Sequence, residues 1–198
     1  MGRNFYRQVH TVFKPIFGVC YLKKAVGLEN LPKEGAFVMC ANHLSALDPI
    51  CISARLPGKV DLAFLAKKEL FENKFLKLLI SALGAIPVDR GGADIAAIRA
   101  SMQALKEGKC LLIFPQGTRS KDNTPTPMLS GASMIALRGG VPVHPAYIDG
   151  PYKAFRRVNV YFGPAIDLSA YGKRSDNDTL SAVTRQIESA VWGLKDSE

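Results

Sequence analysis

The chain has 198 residues, 47% of them apolar and 22% charged, which fits one domain with its own hydrophobic core and excludes a repeat or low-complexity protein. The net charge of +9 favours an anionic membrane, a polyanion or an acidic substrate, or else describes a solvated basic surface. A nucleic-acid module is disfavoured, because the basic residues are spread along the chain and no finger, RNP or helix-turn-helix pattern occurs.

Residues 1–30 read as an amphipathic membrane-docking arm, and 31–198 as the main domain. On a helical wheel Phe5, Val9, Val12, Phe13, Ile16 and Cys20 share one side, and Arg3, Arg7, His10, Thr11 and Lys14 the other. Pro15 divides the arm into two short helices. A basic face opposite an aromatic one suits a helix lying on anionic lipid; it equally suits a helix packed on its own domain. Charged and polar residues interrupt the arm too often for a signal peptide, and no run is long enough to span a bilayer.

Strands are predicted at 35–43, 61–66 and 84–90. The stretch FENKFLKLLISALG (71–84) either widens a membrane-facing patch or belongs to the core. A helix follows at 93–109, then CLLIFPQG (110–117), whose continuous apolar run predicts a strand buried on both faces. A short helix at 131–140, strands at 141–149 and 158–166, and an amphipathic helix at 178–195 complete the chain. This alternation argues for an α/β fold with a largely parallel sheet flanked by helices. The four cysteines, Cys20, Cys40, Cys51 and Cys110, form no CxxC and read as reduced small hydrophobes in a cytosolic chain.

The first strand ends in NHLSALDP (42–49). His43 and Asp48 would lie beyond the strand's carboxyl end, where open α/β sheets collect ligand sites. A turn between them brings the carboxylate back to the imidazole, fixing its tautomer and making His43 a candidate general base for a hydroxyl. Ser45 lacks a nucleophile-elbow context and fits a helix N-cap. The other histidines, His10 and His144, do not assemble a metal site with this pair, and His144 reads as a core strand residue.

FPQGTRS (114–120) is the second motif. Gly117 permits a tight turn whose backbone N–H groups can hold an anion, and Arg119 adds a planar fork matched to phosphate oxygens. A surface turn with a solvated arginine is the plainer alternative.

In this order the motifs resemble those of the glycerolipid acyltransferases, the family of 1-acyl-glycerol-3-phosphate acyltransferases. Asn42, His43 and Asp48 match its Asn-His-x4-Asp motif, and IPVDRGG with Arg90 matches its second region. Phe114 to Ser120 matches Phe-Pro-Glu-Gly-Thr-Arg-Ser with Gln116 in place of glutamate, and VPVHP (141–145) matches the fourth motif. AKKEL (66–70) resembles a segment whose lysine, here Lys67, lies near substrate phosphate. Ser130 stands where many relatives carry a basic residue nearby.

The resemblance covers about residues 35–165. It implies acyl transfer from an acyl thioester, acyl-CoA or acyl-carrier protein, to the sn-2 hydroxyl of lysophosphatidate. His43 and Asp48 would be catalytic; Asn42, Lys67, Arg90, Gln116, Gly117, Thr118 and Arg119 would bind substrate. It implies no metal or resident cofactor, a membrane lipid surface as partner, and peripheral docking by the arm on the cytoplasmic face.

Overall fold

The computed structural model describes residues 22–57, 60–89, 94–120, 122–150 and 158–196. Residues 1–21, with most of the predicted arm and Cys20, lie outside the described residues, as does Arg90. The elements are strands β1 (Leu22–Val26), β2 (Phe37–Ala41), β3 (Leu62–Lys67), β4 (Ala85–Val88), β5 (Cys110–Ile113), β6 (Val143–Asp149) and β7 (Val158–Phe162). The α-helices are α1 (Asp48–Ser53), α2 (Lys74–Ala82), α3 (Ile95–Lys106), α4 (Gly131–Gly139) and α5 (Asn177–Gly193).

The seven strands form one sheet in the order β1-β7-β6-β2-β5-β3-β4. All neighbours are parallel except β6 and β7. β2 and β5 are buried along their whole length, which is why both read as unbroken apolar runs. One face packs against α1 and α2, through Ile52, Leu79 and Leu83 with Phe37, Met39 and Phe64. The other packs against α3, α4 and α5, through Leu105, Ile135, Ala136, Val183 and Ile187 with Val38, Leu111 and Ile113. Cys40, Cys51 and Cys110 are buried in these layers.

The sheet begins earlier than the sequence predicts. Leu22–Val26, the end of the stretch read as helical arm, forms β1 and pairs with β7. A free parallel edge on β7 offers these residues backbone partners that no local helix supplies, and tertiary pairing overrides the local pattern.

The chain leaves β2 toward α1 on one face and leaves β5 toward α4 on the other. β2 and β5 are neighbours, so their diverging connections open a crevice at the carboxyl ends of the central strands.

Gly84 makes the turn from α2 into β4. Its φ is +91°, and a Cβ there would lie 2.1 Å from the Leu62 carbonyl oxygen. Both the left-handed backbone and the close approach require glycine. Gly84→Ala is expected to lower the unfolding free energy by roughly 1–3 kcal/mol, read as a fall in the urea midpoint without a change in slope.

Candidate functional site

Past the end of β2 the chain wraps around one carboxylate. Asp48 is the first residue of α1 and is fully buried. Its Oδ2 accepts from the Leu44 N–H at 2.7 Å and the Ser45 N–H at 2.9 Å, and it meets His43 Nδ1 at 2.7 Å. Two backbone donors and the ring nitrogen converge on one oxygen. With an unprotonated carboxylate, Nδ1 carries the proton and donates it, leaving Nε2 as the ring's lone-pair nitrogen.

Ser45 is not the N-cap the sequence predicts. Leu47 holds that position, and Ser45 Oγ accepts from the Leu47 N–H at 3.2 Å. Its hydroxyl shapes the turn around Asp48 because the helix starts two residues later than the serine's cap position allows.

The second motif holds the histidine's backbone at both ends. Gln116 Oε1 accepts from the His43 N–H at 2.9 Å, and the Ser120 N–H donates to the His43 carbonyl at 2.8 Å. The His43 ring stacks on Phe114, centroids 4.0 Å apart and planes 16° from parallel. The two motifs, more than seventy residues apart in sequence, thus form one unit across the β2–β5 crevice.

Gln116 is buried and does not face solvent. Its Nε2 donates to Thr126 Oγ1 at 2.6 Å, so the side chain ties His43 to the strap that follows the motif. Gly117, with φ +70°, closes the turn by donating its N–H to the Phe114 carbonyl at 3.0 Å. Thr118 and Arg119 project into solvent beyond it, and Arg119 makes no ion pair with any described residue.

Asn42 stands apart from the predicted substrate-binding set. It is fully buried, and its amide is consumed by the protein. Oδ1 accepts from the Ile148 N–H at 2.7 Å, while Nδ2 donates to the Ile148 carbonyl at 2.9 Å and to Asn123 Oδ1 at 2.7 Å. Asn42 therefore anchors the end of β2 to β6. Lys67, the last residue of β3, pairs with Glu69 Oε1 at 3.0 Å and is half-exposed at the same carboxyl edge.

Asn123 was missed by sequence reasoning. It adopts φ +57° and donates through Nδ2 to the Tyr147 hydroxyl at 2.8 Å. With Asn42 it pins the strap to the sheet. Its one sequence signal is its type, since asparagine tolerates the left-handed region better than most residues. His144 is a buried core residue of β6, edge-on to Phe37 at 5.0 Å, and burial holds its pKa below the usual imidazole value.

His43 lies at the wall of a cavity of about 620 Å³ that runs between α3 and α4. Leu65, Val88, Ile98, Ile113, Met134 and Ile135 line its apolar interior. Gln116, Gly117 and Thr118 border it beside the histidine. The volume is within the range of small-molecule sites, and the lining suits a hydrocarbon chain. Among the described residues no group of three His, Cys, Asp or Glu side chains could hold a metal ion, and no helix is long and apolar enough to cross a membrane.

A histidine–aspartate pair at the wall of a chain-sized apolar cavity, beside a turn carrying a cation, suits an enzyme whose substrate has a hydrocarbon chain and an anionic group. Comparison with known proteins gives the family. The Acyltransferase family model matches residues 24–149, and the chain belongs to that family. It is 30% identical over 178 residues to the 1-acyl-sn-glycerol-3-phosphate acyltransferase of Bacillus subtilis, covering 87% of each chain. It is 30% identical over 164 residues to the enzyme of that name from Streptococcus pneumoniae, covering 80% of this chain and 60% of that one. Among solved structures it resembles the 1-acyl-sn-glycerophosphate acyltransferase PlsC from Thermotoga maritima. The TM-score is 0.73 at 27% identity, over 96% of this chain and 80% of that one.

Substitutions at two positions probe the unit. In Asp48→Asn an amide oxygen can keep the three contacts but loses the charge that stabilises the imidazolium. Turnover in acyl transfer is expected to fall roughly 10²–10⁴-fold with the circular dichroism spectrum retained. Gln116→Glu keeps an acceptor for the His43 N–H and lets the Thr126 hydroxyl donate instead of accept, so activity should stay within a few-fold. Gln116→Leu strands both partners and should lower turnover at least about tenfold, with unfolding also at lower urea.

Proposed function

We propose that the protein transfers a fatty acyl group from an acyl thioester, acyl-CoA or acyl-carrier protein, to the sn-2 hydroxyl of lysophosphatidate, forming phosphatidate. The observation that carries this reading is the His43–Asp48 pair opening onto the apolar cavity at the edge of the Gly117 turn. The names of the relatives support the acceptor.

In this reaction His43 Nε2 takes the proton of the acceptor hydroxyl as its oxygen attacks the thioester carbonyl. The forming imidazolium is stabilised by Asp48 across the 2.7 Å contact. The tetrahedral intermediate collapses by breaking the C–S bond, and the sulfur leaves with the electron pair. A thiol of pKa about 8.5 departs readily as thiolate and recovers its proton from His43 or water. Proton, acyl group and electron pairs balance without a covalent enzyme intermediate or a resident cofactor.

Arg119 and the Thr118 backbone hold the acceptor's phosphate, with Lys67 as a further cation at the same edge and Arg90 added on the family resemblance. Holding the phosphate fixes the hydroxyl at His43, and orientation of this kind contributes several kcal/mol to catalysis. The apolar cavity takes an acyl chain. Docking of the protein on the cytoplasmic face of the membrane, in part through the N-terminal arm, would bring this edge to a substrate that resides in lipid.

The test is phosphatidate formation from labelled lysophosphatidate and either thioester on anionic vesicles. Wild type should form product and His43→Ala none; equal turnover by the two would refute the base. Arg119→Ala should raise the KM for lysophosphatidate roughly tenfold or more while changing kcat less, and an unchanged KM would remove the phosphate role.

A further inference from the structure

The helix α2 keeps a face that the fold does not cover. Its inner side packs Leu79 and the following Leu83 on the sheet, and the Asn73 side chain caps its start by accepting from the Phe75 and Leu76 N–H groups. Its outer side leaves Phe75 79% and Leu78 52% exposed. Lys74 and Lys77 alternate with them, both exposed and neither in an ion pair with a described residue; Glu72 is the nearest acid in sequence and precedes the helix.

Other large apolar side chains are exposed at the same end of the sheet. α2 follows β3, so its first turn lies at the strands' carboxyl edge. Leu70, 43% exposed, precedes it in the short 3-10 helix after β3. Ile95, 62% exposed, opens α3 just past β4, and Leu129, 63% exposed, lines the cavity beside Gly117. Large apolar side chains thus stand out at the connections following β3, β4 and β5, on the edge that carries His43.

We propose that α2, with Leu70, Ile95 and Leu129, is a lipid-docking surface of the main domain, fitted to an anionic bilayer. The observation favouring lipid over another protein is the mixture of side chains. Phe75 and Leu78 would enter the acyl boundary while Lys74 and Lys77 meet anionic head groups, the pattern of an interfacial helix. The position rests on the proposed function: a bilayer against this edge lets a lysolipid pass from membrane to cavity without crossing water. The residues of this surface lie outside the predicted arm at 1–30.

The test uses the full chain carrying Phe75→Trp and phosphatidylglycerol vesicles with brominated acyl chains. The native protein has one tryptophan, Trp192, whose indole nitrogen is buried, and it serves as the control. Emission from the indole introduced on α2 should be quenched on binding, and Trp192 emission should not. Phe75→Ser with Leu78→Ser should weaken vesicle partitioning roughly tenfold or more, and Lys74→Gln with Lys77→Gln should weaken it on anionic but not zwitterionic vesicles. Vesicle-bound Phe75→Trp protein whose new indole stays unquenched would overturn the proposal. So would an introduced indole already shielded in solution by a second copy or by the chain's own N-terminal segment. Transfer to a short-chain lysophosphatidate below its micelle concentration separates the two readings. Wild-type rates there in the serine double variant are expected. Loss of transfer in every form, with quenching intact, would refute the proposed function and leave the docking surface standing.

Discussion

The site depends on how one histidine is immobilised. Its ring is held by the buried carboxylate of Asp48, its N–H by Gln116 and its carbonyl by the Ser120 N–H. An imidazole free to rotate would present either nitrogen to a substrate. Here the ring is stacked against Phe114 and tethered at Nδ1, so its orientation is fixed and Nε2 is the nitrogen directed away from Asp48. Asp48 is suited to this because Leu44 and Ser45 place two N–H donors on the same oxygen. A buried carboxylate without such donors would be costly and mobile; with them it is fixed in place.

The sheet supplies the second condition. Because β2 and β5 are adjacent and send the chain to opposite faces, both motifs arrive at one crevice. The hydrogen bonds from Gln116 and Ser120 then close the crevice from above. The cavity between α3 and α4 opens beside His43, so an apolar pocket and the His43–Asp48 pair stand side by side. The strap through Asn123 and Thr126 bonds to β6 at the Tyr147 hydroxyl and Ile148 carbonyl and to the second motif at Gln116.

Much of this was legible in the sequence, for physical reasons. Strands β2 and β5 announced themselves because burial on both faces removes every polar residue from the run. Helix α5 showed its 3.6-residue spacing because only one side meets the sheet, with Val183, Ile187 and Val191 inward. His43 and Asp48 could be paired because the carboxylate lies one turn away in sequence. β1 was hidden because its reason for existing is the free edge of β7, far along the chain. The work of Asn42 was hidden for the same reason: nothing beside it in sequence shows that Ile148 and Asn123 take up its amide. Gln116 read as a departure from the family pattern. The structure shows its contacts to be a backbone N–H and a threonine hydroxyl, partners that a glutamine satisfies as readily as a carboxylate.

The central claim is that Asp48 holds His43 as the Nδ1–H tautomer, with Nε2 unprotonated and available to a hydroxyl. Nitrogen-15 NMR of histidine-labelled protein above pH 8 reads this directly, with His43 assigned by comparison with His43→Ala. The account predicts a protonated-type shift at Nδ1 and a lone-pair shift at Nε2, with the two averaging together in Asp48→Ala, where the ring loses its acceptor. A proton found on Nε2 in the wild type, or fast exchange between the two tautomers, would contradict it.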